Sequence, residues 1–600
     1  MNMSFKSLRA MRAAFSSFAA AGVLTSFAAC RAPSTPSGLR STEPAVPPRQ
    51  AVTFPAGWRF KAGEKAAFGE HFMIASNQVL ASNAGNEIIA AGGNAVDAAV
   101  AVGFALTVTY PVAGNIGGGG FMVIRMADGR TASIDYREVA PLAASRNMYL
   151  DANGNPTNES IVGYKASGVP GSVAGMAEAL KKYGTKSLAQ VMAPAIRLAR
   201  DGFTVDSQFY NSLKGSKPYI GRFDAKDVFY GANGEPPAIG TVFRQPALAR
   251  TLQLIADKGP NVFYRGEVGD SLVAAMQRGG GIITTQDLMQ YKPLWRTPIT
   301  STYRGYTMYS MPPASSGGIV VTEALNILEA KVAATPAWGT PAYSHLLGSA
   351  YQRAFIDRNS KLGDPAFVNV PLAQLTDKGY AKTLAATIHD DKATPTPPNG
   401  AQIVDGTNTT HYSVVDDKGN AVATTTTLNN GYGSAVYLKN VGFFMNDEMD
   451  DFAAAPGKPN MFGLVQGEAN AIAPGKRMLS AMSPTIVLDP KGELFLVVGA
   501  AGGPRIITAT SQVILNVIDH RMSLADAMRA PRLHHQALPD TLMMETNGFT
   551  PEVEAALKRM GHGIKYTGGL ANVNAVMRVK GGWEGVSEPR MSGTGGTSAR

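Results

Sequence analysis

Hydrophobic and polar positions recur with different periods along this chain, and the changes of period mark its elements. Met73 to Ala81 is read as a strand, with Ser82-Asn83 opening the turn after it. Ala84 to Thr109 has helical composition and stops at Tyr110-Pro111, where proline cannot continue a helix. Its stretch AAGGNAVDAAVAVGFAL is apolar all round, so this helix is expected to be buried. Four glycines follow at Gly117 to Gly120, then two strands joined by a turn at Asp128-Gly129. Residues 170–290 alternate loops with helical stretches such as Ser172–Tyr183 and Pro246–Lys258. STYRGYTMYSMPPASSGG reads as strand then loop, and Ile319–Val332 as helix. Residues 365–405 are loop-rich, and ATPTPPNGAQIVDGTN is the most linker-like stretch inside the body. Beyond it, HYSVVDD and AVATTTT flank a KGN turn, and SPTIVLDPKGELFLVVGAAGG holds a second pair of strands around Pro490-Lys491-Gly492. Ile506–Ile518 and Ser523–Ala530 are helical. From Thr409 onward the chain therefore reads as hairpins followed by helices, an α+β arrangement.

Length and composition narrow this picture. A chain of 600 residues is too long for one small core and implies several lobes or one large layered unit. The net charge is +10, but half of it lies in residues 1–52, where Lys6, Arg9, Arg12, Arg31, Arg40 and Arg49 face one acid, Glu43. The remainder is mildly basic and has no Lys/Arg run interleaved with aromatics, so nucleic acid is not an expected partner. Cys30 is the only cysteine, which excludes an internal disulfide and a cysteine-based metal site. The adjacent His534 and His535 point apart on a strand or a helix and are expected to be structural. Nothing in the sequence implies a metal or an organic cofactor.

The first thirty residues, MNMSFKSLRAMRAAFSSFAAAGVLTSFAAC, have a basic start and a small-residue apolar stretch from Ala13 to Ala29. That is the pattern of a secretory signal, too short and too rich in Ser and Ala for a membrane span. Cys30 ends the apolar stretch as in a bacterial lipobox, whose cysteine is lipidated, although Phe27 stands where Leu is usual. Cleavage by an ordinary signal peptidase at the same alanines is the alternative. Residues 1–30 are thus read as an export signal and 31–52 as a flexible tether. The expected location is the periplasm, with or without a lipid anchor at Cys30.

A linker that gives way abruptly to a strand at Thr409 marks a cleavage point. Cutting Asn408–Thr409 would give Thr409 a free α-amine, whose pKa of about 8 suits a base at neutral pH. The amine would lie beside the hydroxyl of the same residue, which is too weakly acidic to attack unaided. The surrounding motifs resemble one family. They are LASNAGNEIIAAGGNAVDAAVA, GNIGGGGFM, DYREVAP, MPPASSGG, TTHYSVVDDKGNAVATTTTLN, NDEMDDF, GLVQGEANA, GAAGGPRII and APRLHHQ. Together they span about residue 70 to the C-terminus and resemble the γ-glutamyltransferases, which are N-terminal-nucleophile hydrolases.

The resemblance implies a four-layer αββα sandwich made as a precursor that cuts itself into a large chain (53–408) and a small chain (409–600) that stay associated. It implies Thr409 as nucleophile, Thr427 as its supporting hydroxyl, and the N–H groups of Gly502 and Gly503 as oxyanion donors. Gly-Gly alone would mean only a turn. It implies that Arg137 binds the α-carboxylate of a γ-glutamyl group, where the residues alone allow a structural ion pair with Asp135 or Glu138. Asp451, with Asn429 and Glu448, matches the holders of the α-ammonium, where the residues alone allow an acidic loop cap. Ser480 matches one of two carboxylate-binding serines, and Ala481 departs at the other. Phe462, in a lid-like stretch Ala453–Ala471, stands where tyrosine is common. The implied partners are γ-glutamyl compounds such as glutathione and amine acceptors. A glutaryl-amide acylase and an inactive exported homologue are the alternatives; retention of Asp451 argues against the first, and retention of Thr409, Thr427 and both glycines against the second.

Overall fold

A computed structural model of the chain describes residues 49–396, 409–591 and 595–600. Cys30 and Asn408 lie outside the described residues. The centre is a pair of seven-stranded sheets. In spatial order the first runs Gly596–Ala599, Met73–Ser76, Thr409–Val415, Ala421–Thr427, Gly119–Arg125, Thr131–Asp135, Leu294–Arg296. The second runs Ala67–Gly69, Gly582–Val586, Asn572–Val579, Leu494–Ala501, Thr485–Leu488, Tyr306–Ser310, Ile299–Tyr303. Every pairing within the two is antiparallel.

Alternation along the strands builds the layers. Ile74, Met122, Val414 and Val422 point from the first sheet into a core shared with helices Val79–Ala90, Ala95–Thr109, Ser172–Tyr183, Leu188–Asp201 and Pro246–Lys258. Their neighbours Ala75, Val123, Val415 and Ala423 point the other way, into a core shared with the second sheet and helices Gly317–Lys331, Pro341–Lys361 and Arg505–Ile518. A helix layer therefore covers each outer face, giving the four-layer αββα sandwich. Residues before 397 and residues from 409 onward contribute strands to both sheets, so the two segments interleave rather than form separate lobes.

The Thr409–Val415 and Ala421–Thr427 hairpin is buried along its whole length. That is why it lacks the apolar/polar alternation of a half-exposed pair. On the face toward the second sheet, His411 lies between Thr425 Oγ1 at 2.8 Å and Ser413 Oγ at 3.0 Å. Ser413 Oγ reaches the carbonyls of Val497 and Asn574 on the opposite sheet, 3.2 Å each. Gly499 lets the sheets approach here, since a methyl group on it would lie 2.4 Å from His411 Cε1. Burial holds the His411 imidazole neutral, its pKa pushed down to about 3.

Several boundaries differ from the sequence reading. The strand from Met73 ends at Ser76, because Gln78 caps a helix at Val79–Ala90 that includes Ser82-Asn83. The single helix expected from Ala84 to Thr109 is two, broken at Gly92-Gly93; Asn94 and Asp97 form a capping box that starts Ala95–Thr109. The second of these is buried at every residue, as its composition implies. STYRGYTMYS forms a hairpin, not one strand, turning at Arg304-Gly305. The loop-rich 365–405 region contains helices Leu372–Leu375 and Lys378–Ala386. After its helices the chain also returns to strands, which supply three positions in the two sheets.

Candidate active site

The register of the central hairpin sets Thr409 opposite Thr427. Both face the same side of the sheet as Thr425, whereas Thr410, Thr424 and Thr426 face the helices, by the two-residue period of a strand. The Thr409 and Thr427 hydroxyl oxygens are 3.1 Å apart. Thr427 Oγ1 also accepts the Asn429 N–H at 2.8 Å, which leaves its own proton to donate to Thr409 Oγ1. Asn429 has φ 77°, and its Nδ2 donates to the Asp447 carbonyl at 3.1 Å.

A small, narrow cavity opens beside the two threonines. Its wall includes Arg137, Asn429, Glu448, Asp451, Phe462, Ser480, Ala481 and Gly503. Sequence-predicted site residues more than 360 positions apart thus meet in one place. Gly502 immediately precedes the wall. It has φ 137° and Gly503 φ 58°, conformations open to glycine. Among the described residues neither N–H has a hydrogen-bond acceptor, so both are available to a developing oxyanion.

Arg137 is fully buried and follows the Thr131–Asp135 strand. Its guanidinium donates to Glu448 Oε1, to Asp451 Oδ2 and, at 3.3 Å, to the Met478 carbonyl. Burial alone would lower its pKa; the carboxylates of Glu448 and Asp451 outweigh burial and raise it, so the cation is kept. Of the two ion-pair alternatives, Glu138 stays within pairing distance of the guanidinium and Asp135 does not. Asp135 takes only the Arg137 backbone N–H and pairs instead with Arg296 at 2.8 Å and Arg477 at 3.3 Å. Glu138 lies 3.8 Å from the guanidinium, and burial pushes its carboxyl up to about 7 against the pull of Arg137. The Glu448–Asp451 turn is not merely an acidic cap, because two of its carboxylates close on Arg137.

The lid stretch is folded down. Phe462 is buried, and a methyl group on Gly503 would lie 2.9 Å from its Cδ1. The Phe462 carbonyl accepts from Gln536 Nε2 at 3.2 Å. Asn460 Oδ1 caps the turn by accepting the N–H groups of Phe462 and Leu464, at 3.0 and 3.1 Å. Ring packing and backbone bonds hold the lid stretch in this position. His534 and His535 enter separate bonds away from the cavity, His534 with Thr508 and Gln536, His535 with Asp540.

One charged wall residue escaped the sequence reading. Arg358, on helix Pro341–Lys361, is 1% exposed and lines the cavity. Burial lowers its pKa to about 10, with Asp451 pulling it back up. Its signal was present: it follows Ala350 and Ala354 at steps of four, on the buried stripe of its helix, where an arginine needs a reason.

A four-layer αββα sandwich with a threonine at the start of a central strand, beside a pocket, defines the class of N-terminal-nucleophile hydrolases. Within it, a sequence model of the family described as Gamma-glutamyltranspeptidase matches residues 81–598, and the chain belongs to that family. It is 46% identical over 525 residues to the glutathione hydrolase proenzyme of Escherichia coli (strain K12), covering 86% of this chain and 90% of that protein. The fold is similar to the crystal structure of cephalosporin acylase from Bacillus halodurans, with TM-score 0.80 and 28% identity, covering 91% of this chain and 99% of that one. It is also similar to Helicobacter pylori gamma-glutamyltranspeptidase, with TM-score 0.53 and 41% identity, covering 56% of this chain and 95% of that chain.

Proposed function

We propose that this chain is a self-processing γ-glutamyl hydrolase and transferase whose nucleophile is Thr409. The observation that carries the reading is the Thr409–Thr427 hydroxyl pair at 3.1 Å, in one cavity with Arg137, Asp451 and Gly503. Scission of the Asn408–Thr409 bond gives a large and a small segment, which remain together because they share both sheets. The freed α-amine takes the Thr409 hydroxyl proton as Oγ1 attacks the γ-carbonyl carbon. The Gly502 and Gly503 N–H groups donate to the oxyanion. The amine then passes its proton to the leaving nitrogen, and a γ-glutamyl ester of Thr409 remains. Water or an acceptor amine attacks that ester and restores the threonine.

Arg137 and Asp451 address the substrate's α-carboxylate and α-ammonium. In this structure Arg137 pairs with Asp451 and with Glu448, and a γ-glutamyl group, which brings one charge of each sign, can replace the Arg137–Asp451 pairing without a net change of charge. Ser480 assists on the carboxylate side: its Oγ accepts the Met482 N–H at 3.1 Å and retains a proton to donate. Glutathione and related γ-glutamyl amides are the substrates, and amino acids or peptides the acceptors. Likeness to a cephalosporin acylase favours glutaryl amides as the second reading, but a glutaryl group brings no cation for Asp451. Incubating the purified protein with glutathione, with and without an acceptor dipeptide, tests the proposal. Release of glutamate alone, and a γ-glutamyl dipeptide when acceptor is present, is the expected result; release only from glutaryl amides would refute it.

A further inference from the structure

Two arginines line the cavity, and their hydrogen bonding differs. Every guanidinium nitrogen of Arg137 is engaged by the protein, two of them by carboxylates. Arg358 forms no ion pair among the described residues. Its Nε donates to Ser316 Oγ at 3.1 Å, and its Nη1 to Asn359 Oδ1 at 3.0 Å and Gln466 Oε1 at 3.1 Å. All three acceptors are neutral. The third nitrogen, Nη2, has no hydrogen-bond partner among the described residues, although the side chain is almost wholly buried against the cavity. A buried cation without a counter-ion is costly unless an anion arrives to meet it.

The bonds Arg358 does make fix its place. Ser316 Oγ donates to the Ser480 carbonyl at 2.6 Å, so Arg358 stands on the Ser480 side of the pocket. Ser480 Oγ has a proton left to give there, while Ala481 beside it offers none. Gln466 Nε2 and Asn470 Nδ2 bond the Asp451 carbonyl at 3.1 and 2.7 Å, and Gln466 Oε1 accepts from Asn470 Nδ2 at 3.0 Å as well as from Arg358. One wall thus converges donors and a positive charge, set against the acidic turn at Glu448–Asp451.

We propose that Arg358 is a second carboxylate-reading cation of the acyl-donor pocket: its Nη2 hydrogen-bonds the donor's α-carboxylate alongside Ser480, adding a donor to the one that Arg137 gives up from Asp451. This rests on the γ-glutamyl reading above. It makes Arg358, contributed by the segment before residue 397, a determinant of which acyl groups bind.

The test uses wild type, Arg358→Gln and Arg358→Lys, each checked for cleavage into two segments. The KM and kcat for a γ-glutamyl anilide are measured, with competitive inhibition by glutamate, glutarate and 4-aminobutyrate. These three are the acyl product, the product without its ammonium and the product without its α-carboxylate. Removing one donor to a charged group should raise KM and weaken glutamate and glutarate by roughly ten- to a hundredfold. Inhibition by 4-aminobutyrate should not change, kcat should change less than KM, and lysine should restore part of the loss. Equal weakening of all three inhibitors would show a structural role and overturn the proposal; so would an unchanged KM. If Arg358→Gln yields no processed protein, the same ranking of inhibitors in Arg358→Lys decides. A wild type inert on the γ-glutamyl anilide would instead refute the function reading.

Discussion

At the scale of single residues, the site is an exchange of charge partners. Asp451 and Arg137 hold one another, and a γ-glutamyl group offers each a replacement. Asp451→Ala should therefore cripple γ-glutamyl turnover. Leaving a buried charge unpaired typically costs about 3–5 kcal/mol, a few hundredfold or more in kcat/KM at about 1.4 kcal/mol per factor of ten. Glutaryl amides, which bring no ammonium, should suffer much less, and equal losses on both would show that Asp451 does not read the ammonium. Arg137→Ala should impair both substrates and lower Tm as well, because it strands Glu448 and Asp451 together. Self-cleavage should survive either change, since it needs only Thr409 and its surroundings. Most of these residues were legible in the sequence because each sits inside a contiguous motif. Arg358 was marked only as an arginine on the buried stripe of its helix, and the fold alone carries the helix Pro341–Lys361 to the pocket.

At the scale of elements, the turn Glu448–Asp451 ties the lid to the body. Asp450 accepts from Ser160 Oγ at 2.8 Å and from the lid's Met461 N–H at 3.2 Å. Burial pushes its carboxyl up to about 7, whereas an aspartate in the unfolded chain ionises near 4. Between those values the folded state holds the extra proton. The contribution is thus fully present below pH 4 and is lost as pH rises through 7. Asp450→Asn keeps the shape without the titration, so its Tm should fall less between pH 5 and pH 8 than that of wild type; identical pH slopes would contradict the assignment. Phe462→Ala removes the ring that packs on Gly503 and should raise KM for γ-glutamyl donors while leaving cleavage into two segments intact. A KM unchanged from wild type would show that the ring does not close the site. Element boundaries were less legible than residues. Gly92-Gly93 inside an apolar stretch hid a helix break that Asn94 makes definite. The late hairpin Asn572–Val579 and Gly582–Val586 was missed; it joins the second sheet beside Leu494–Ala501, some seventy residues earlier.

At the scale of the whole molecule, the chain is a precursor whose two segments are woven into the same sheets, so cutting between them need not separate them. We further propose that residues 1–30 direct export and that Cys30 becomes a lipidated N-terminus facing the periplasm. Mass spectrometry of the mature N-terminus should find a modified Cys30; a start at an unmodified downstream residue would refute lipidation and leave export standing. The layered α+β architecture was readable from the motifs and from the change of period at Thr409. The interleaving was not, since strand order across a sheet is set by packing between distant segments. The central claim is that Thr409 acts as a freed N-terminal residue. Its most direct test is the intact mass of purified wild type and Thr409→Ala, alongside their activity on a γ-glutamyl amide. The account predicts two segments in the active wild type, the smaller beginning at Thr409, and one inactive uncut chain in the variant. A single intact wild-type chain that still hydrolyses the amide would contradict it.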